Sequence, residues 1–254
     1  DDVDINREIA QQLLEGTGLR IDMVENGSMA LKMAKTYEYD LVLMDVQMPV
    51  MDGMQATREI HASPGREALP VIAMTANVFD EDRRACLEAG MVDFVFKPID
   101  PEHLFRTLLK WLPQRERGIT KLNVPMTLLL AAEQREDNVL FPGIDVASGL
   151  KTWRQKEVYS KFLRKFVQDY ADVAAQMTQA LARRELATVY TLAHKIKGAA
   201  GNLALVDVAR LARDLDLVVK AGQDATATLA QLHMAMQTAR TSTERYAPDS
   251  GMGY

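Results

Sequence analysis

The chain has 254 residues, enough for about two domains, and 48% hydrophobic against 26% charged residues allows a sizeable core. A net charge of -5 argues against nucleic acid as the main partner, and the single cysteine, Cys86, excludes an intrachain disulfide and fits a reducing compartment. No apolar run approaches the ~20 residues that cross a bilayer and no signal peptide opens the chain, so the segment reads as cytoplasmic, with no membrane contact of its own.

Asp1-Asp2-Val3-Asp4 leads into a helix whose apolar face is Ile5, Ile9, Leu13 and Leu14, ended by Gly16-Thr17-Gly18. Arg20 to Val24 reads as a short strand, and Asn26-Gly27-Ser28 caps a helix from Met29 to about Tyr37. Leu41-Val42-Leu43-Met44 is a strand apolar on both faces that stops on a carboxylate, Asp45, and Pro49 and Gly53 enforce a loop after it. A helix follows to about Ala62, closed by Ser63-Pro64-Gly65. Pro70 to Thr75 is a strand, Asp80 to Ala89 a helix stopped by Gly90, and Val92 to Phe96 a strand. Asp100-Pro101 opens a helix that runs to Trp111-Leu112. Strands alternating with helices predict an α/β fold with a doubly wound parallel sheet. A helix with an acidic cluster at its start should follow a strand, so a further strand is expected just before Asp1 and residue 1 reads as a cut.

From Gln114 to Ile144 the pattern changes to a linker, charged at Arg115-Glu116-Arg117-Gly118, with a short helix over Met126–Ala132 and a boundary at Pro142-Gly143. Beyond Asp145 the spacing predicts helices over Val158–Ala182, Glu185–Leu203, Val206–Ala221 and Ala225–Tyr246, an all-α, up-down four-helix bundle. Residues 1–113 and 145–246 are thus the expected domains, 114–144 the linker and 247–254 a flexible tail. Cys86 reads as a small hydrophobe on its helix.

In a doubly wound sheet the carboxyl ends of the strands share one edge, where ligands bind. Asp1 and Asp2, Asp45, Thr75 and Lys97 all fall there. Clustered carboxylates repel one another without a cation, and hard oxygen ligands suit Mg²⁺. A metal-held Asp beside Lys and Thr can attack phosphorus, its partners neutralising the phosphoryl oxygens.

Asp1-Asp2, Asp45 with Met48-Pro49 and Asp52-Gly53, Met74-Thr75-Ala76 and Lys97-Pro98 together resemble the response-regulator receiver domain, a flavodoxin-like fold, over roughly residues 1–113. The resemblance implies Asp45 as phosphoacceptor, Asp2 and Asp45 as direct Mg²⁺ ligands, Asp1 acting through water, and the backbone carbonyl of Gln47 as a further ligand. It implies that Thr75 and Lys97 sense and hold the phosphoryl group and that Lys97-Pro98 is cis. Phe94 falls where the family has an aromatic switch residue and reads equally as sheet core. The expected strand before Asp1 belongs at the centre of that sheet.

In the second domain Leu186, Val189, Ala193, Ile196, Ala200 and Leu203 make an apolar seam. Tyr190, His194, Lys197, Gly198 and Gly201 fall on another face, so His194 points away from the seam. Lys197 at i+3 can offer positive charge to a group on the imidazole. Gly198 costs about 1 kcal/mol of helix propensity relative to Ala and reads as a bare patch where a partner approaches. His-x-x-Lys-Gly on a bundle helix closely resembles the histidine phosphotransfer domain, which implies His194 as the phosphohistidine with Lys197 and Gly198 in support. His61, His103 and His233 lack this setting and read as helix-surface or packing residues.

A receiver joined to a phosphotransfer bundle resembles the C-terminal part of hybrid sensor histidine kinases. That implies phosphorelay signalling: a kinase histidine phosphorylates Asp45, the group passes to His194, and a separate response regulator receives it. The implied partners are the kinase core of the same or a related hybrid kinase and that regulator, with Mg²⁺ as cofactor. No Gly-rich phosphate loop accompanies them, so ATP use is not expected of this chain, and inner-membrane anchoring of a parent protein stays open. Two alternatives remain. One is a regulatory binding module without transfer. The other is a haloacid-dehalogenase-like phosphohydrolase, which wants a second Asp where this chain has Gln47.

Overall fold

In the computed structural model, residues 1–75, 80–113 and 141–248 are described, and the chain divides into two units, 1–132 and 133–254. Each is taken by itself. The first opens with α1 (Asp4–Leu14), α2 (Gly27–Thr36) and β1 (Val42–Asp45). Then come α3 (Gly53–His61), β2 (Val71–Thr75), α4 (Asp80–Glu88), β3 (Asp93–Phe96) and α5 (Pro101–Trp111). Side chains supply the first-turn acceptors that helix ends need. Asn26 accepts from the Met29 N–H at 2.9 Å, Asp52 from Gln55 at 2.7 Å and Asp100 from His103 at 3.1 Å.

The three strands are parallel in the order β1-β2-β3, with Asp45 opposite Met74 and Thr75 opposite Phe96. Val71 and Ala73 of β2 join Met44 and Phe94 in a core closed by Ala30, Leu31, Ala56 and Ile60 of α2 and α3. Ile72 and Val95, at the alternate positions, are equally buried, as a sheet covered on both faces requires. Cys86 is buried in the core that holds Met44 and Ala73, and Phe94 is buried there too, beneath the Arg83 guanidinium.

One expected strand does not form. Arg20–Val24 carries no ladder, although its sequence suits one. A parallel strand exists only beside a neighbour that accepts its hydrogen bonds, and β1 has just one neighbour among the described residues. Between Arg20–Val24 and β1 lies a cleft of about 650 Å³, lined also by Leu14, Met74, Leu108 and Leu112.

The second unit holds α6 (Val146–Trp153), α7 (Lys156–Asp169), α8 (Val173–Ala182), α9 (Leu186–Asn202), α10 (Val206–Lys220) and α11 (Thr226–Tyr246). α8 to α11 form the bundle: α9 packs on α8 and α10, and α11 on α8, α10 and α7. The helix expected over 158–182 is two helices, broken at Tyr170–Asp172. No Pro or Gly marks that break; the Phe166 and Tyr170 rings, one turn apart, lie tilted with centroids 4.9 Å apart where α7 ends. α6 is not among the helices expected from the sequence; Asp145 caps it by accepting from Ser148 N–H at 3.0 Å. Trp153 and Tyr159 then tie α6 and α7 to the end of α9, donating to the carbonyls of Asn202 at 3.1 Å and Leu203 at 2.8 Å. Gly149 is fixed by a close approach, since any Cβ there would enter the Tyr159 ring. The helix expected over Met126–Ala132 lies outside the described residues. Among the described residues no helix is long and apolar enough to cross a membrane.

Candidate functional site

The turn after β1 is built by two glycines. Gly53 donates its N–H to the Val46 carbonyl at 3.0 Å, and a Cβ at this position would strike the Asp45 carbonyl oxygen. Gly27, at the start of α2, donates to the Met51 carbonyl at 3.1 Å, and its Cβ would stand 2.6 Å from that oxygen. The sequence pattern marks Gly53 as a loop residue but Gly27 only as part of a turn, with no sign of its approach to Met51. Between them Val50 is 86% exposed with φ at 69°, a left-handed conformation that β-branched residues avoid.

This turn leaves the Asp45 carboxylate at the sheet edge, 2% exposed. Lys97 closes on it from the end of β3, its own backbone held by an N–H bond to the Thr75 carbonyl at 2.8 Å. The Lys97 Nζ lies 2.5 Å from Asp45 Oδ2 and 2.7 Å from Asp1 Oδ2, with only 3% of its side chain exposed. Carboxylate oxygens of Asp1, Asp2 and Asp45 all lie within 4.8 Å of one another. The second oxygens of two of them are oriented by the protein. Asp45 Oδ1 accepts from the Gln47 N–H at 3.2 Å, and Asp1 Oδ1 from Val3 N–H at 2.9 Å and Asn6 Nδ2 at 3.4 Å. Thr75, buried at the end of β2, stands one residue past the partner of Asp45 in the ladder. The peptide Lys97-Pro98 is cis, as the resemblance implied.

Four expected residues, Asp1, Asp2, Asp45 and Lys97, therefore meet at one sheet edge. Three carboxylates face one ammonium, so negative charge is in excess, and the donors are all hard oxygens. That set fits a small divalent cation such as Mg²⁺. The Gln47 N–H faces Asp45.

On α9, five of the six expected seam residues are buried, whereas Leu186, at its first turn, is 40% exposed. His194 is half-buried and tilted against the Tyr190 ring, with centroids 6.1 Å apart. The Lys220 ammonium lies 4.9 Å from the centre of that ring. Lys197 donates to Asp216 Oδ2 of α10 at 3.1 Å. The bare patch expected at Gly198 is not open: the glycine is buried, on a helix face that Lys197 ties to α10. Asp216 is not among the residues expected at the site. A signal for it existed, because Val208, Ala212 and Asp216 form an i, i+4 row whose first two members are fully buried. The remaining histidines have packing roles or surface partners: His61 and His103 bond the Leu69 and Phe94 carbonyls at 2.9 Å, and His233 pairs with Gln237.

Residues 1–109 match the family model of the response regulator receiver domain, and residues 161–242 that of the Hpt domain. Residues 1–109 belong to the receiver family and residues 161–242 to the Hpt family. It is 42% identical over 127 residues to the sensor histidine kinase GacS of Pseudomonas protegens, covering 46% of this chain and 13% of that protein. It is 31% identical over 221 residues to the aerobic respiration control sensor protein ArcB of Escherichia coli K12, covering 85% of this chain and 27% of that protein. The chain thus spans well under a third of these relatives. Among solved structures it is 40% identical to the receiver domain of a Pseudomonas aeruginosa sensor histidine kinase, with magnesium coordinated in that protein's active-site cleft. The match covers 44% of this chain and 91% of that one, with a TM-score of 0.42.

Proposed function

We propose that the chain is a two-station phosphoryl relay. Asp45 takes a phosphoryl group from a kinase histidine and His194 takes it from Asp45 for delivery to a response regulator. The observation that carries this reading is the meeting of Asp1, Asp2 and Lys97 around Asp45 in a chain whose second unit presents His194.

At the first station an Asp45 oxygen attacks phosphorus. The P–N bond of the donor phosphohistidine breaks as the P–O bond forms, and the donor imidazole leaves with the electron pair. Lys97, released from Asp45 Oδ2, meets the phosphoryl oxygens, and Thr75 offers its hydroxyl from the neighbouring strand end. Asp2 and Asp45 would hold Mg²⁺ directly, Asp1 through water and Gln47 by its backbone carbonyl. Bound there, the ion supplies charge neutralisation for the phosphoryl oxygens. At the second station the Nδ1 of His194 is buried, which leaves Nε2 for attack. The P–O bond to Asp45 breaks, the carboxylate is restored, and the P–N bond forms on Nε2, with Lys197 one turn away. Residues 114–144 join the stations, and cytoplasmic placement and a hybrid-kinase parent belong to the same reading.

Acetyl phosphate with Mg²⁺, followed by mass mapping, tests it. Label on Asp45 that Asp45→Asn removes is the expected result. An Asp45 that stays unmodified refutes the reading.

A further inference from the structure

Asp216 has no part in the relay described above, yet it is an unusual side chain for its place. It continues the buried row of Val208 and Ala212 on α10 and is itself 5% exposed. Its Oδ2 accepts from Lys197, while its Oδ1 is buried with no hydrogen-bond partner among the described residues. A buried carboxylate with one oxygen unsatisfied costs stability relative to an apolar residue of similar size. Packing α10 on α9 does not call for it. Lys197, in turn, lies one turn from His194 on α9, close enough for its ammonium to reach a group on the imidazole. That ammonium is already engaged.

We propose that Asp216 is a positioning residue that competes with phosphorylated His194 for the Lys197 ammonium and so keeps the phosphoryl group transferable. The inference rests on His194 being the phosphoacceptor. Before phosphorylation Lys197 is held by Asp216. Once the phosphoryl dianion is on Nε2, Lys197 divides between two anions, and Asp216 is left buried with a weakened partner and a like charge nearby. This penalty falls on the phosphorylated state alone. It favours breaking the P–N bond as a P–O bond forms on the acceptor carboxylate, after which the imidazole regains its electron pair and Lys197 returns to Asp216.

The test uses the full chain carrying Asp45→Asn, so that no label enters Asp45, equilibrated with phosphoramidate and ammonia and read by ³¹P NMR at the phosphohistidine signal that His194→Gln removes. Asp216→Asn should raise the equilibrium constant for phosphohistidine about tenfold, the scale of one unit charge moved from a partly buried site. Asp216→Glu, which keeps the charge, should restore the parent value, and adding Lys197→Met to Asp216→Asn should erase the gain. A purely structural Asp216 predicts the opposite sign, because a loosened bundle lowers the constant. If Asp216→Asn does not fold, Asp216→Leu serves, since an apolar replacement of such a group is often tolerated. A constant within twofold of the parent, or below it, overturns the proposal while leaving His194 as acceptor. No label on the parent's His194 overturns the acceptor reading itself, and the proposal falls with it.

Discussion

Replacing Lys97 by Met separates an electrostatic keystone from ordinary packing. The side chain is 3% exposed and its ammonium sits between Asp45 Oδ2 at 2.5 Å and Asp1 Oδ2 at 2.7 Å. At an effective dielectric of about 20, each contact supplies roughly 6 kcal/mol of attraction, most of it offset by the desolvation of the charges. Methionine keeps the aliphatic stem but leaves carboxylates that are 3% and 6% exposed without their cation. Leaving such charges unpaired costs about 3–5 kcal/mol. Urea unfolding of Lys97→Met followed in the first unit should show that loss, with the second unit's transition unmoved. Mg²⁺ should then stabilise the variant more than the parent, since the acidic trio has lost its own counter-charge, reaching about 2.7 kcal/mol at a hundred times its Kd. A loss under about 1 kcal/mol, or an equal Mg²⁺ response in both proteins, refutes this account of the site.

Gly53→Ala should displace the turn after Asp45 by forcing a methyl into its carbonyl, and acetyl-phosphate labelling of Asp45 should fall at least tenfold, about 1.4 kcal/mol, while the helical signal is kept. Val50→Asn relieves a left-handed β-branched residue at an exposed position and should stabilise the first unit by about 1 kcal/mol in thermal melts. Asp145→Ala removes the cap of α6 and should cost the second unit about 1 kcal/mol at neutral pH. The backbone and side-chain hydrogen bonds of Ser148 hold the Asp145 carboxyl below its usual range. The cap's contribution is therefore complete above about pH 4 and disappears as pH falls through the folded-state value, so parent and variant melts should converge in acid.

The first unit was legible where chemistry and pattern coincide. Leu41 to Met44 announces a doubly buried strand and Asp45 announces its end, so strand and site are read together. Arg20–Val24 has the right composition and forms no ladder, because pairing depends on a neighbour that the segment's own residues cannot encode. The break at Tyr170–Asp172 was hidden because it carries no Gly or Pro to mark it. On α9 the helical spacing placed His194 and Lys197 on one face, but the burial of Gly198 follows from α10 lying against that face, which no local pattern shows. Asp216 was visible as an acid in an apolar row. Its meaning depends on Lys197, which is distant in sequence.

The most direct test of the relay is the order in which phosphate appears on the two stations. The chain would be phosphorylated by the kinase core of a related sensor kinase with ATP and Mg²⁺, then quenched at intervals and mapped by mass spectrometry. The account predicts label on Asp45 first and on His194 later, Asp45→Asn losing both and His194→Gln retaining Asp45 alone. Label on His194 that persists in Asp45→Asn, with Asp45 unlabelled in the parent chain, would contradict it.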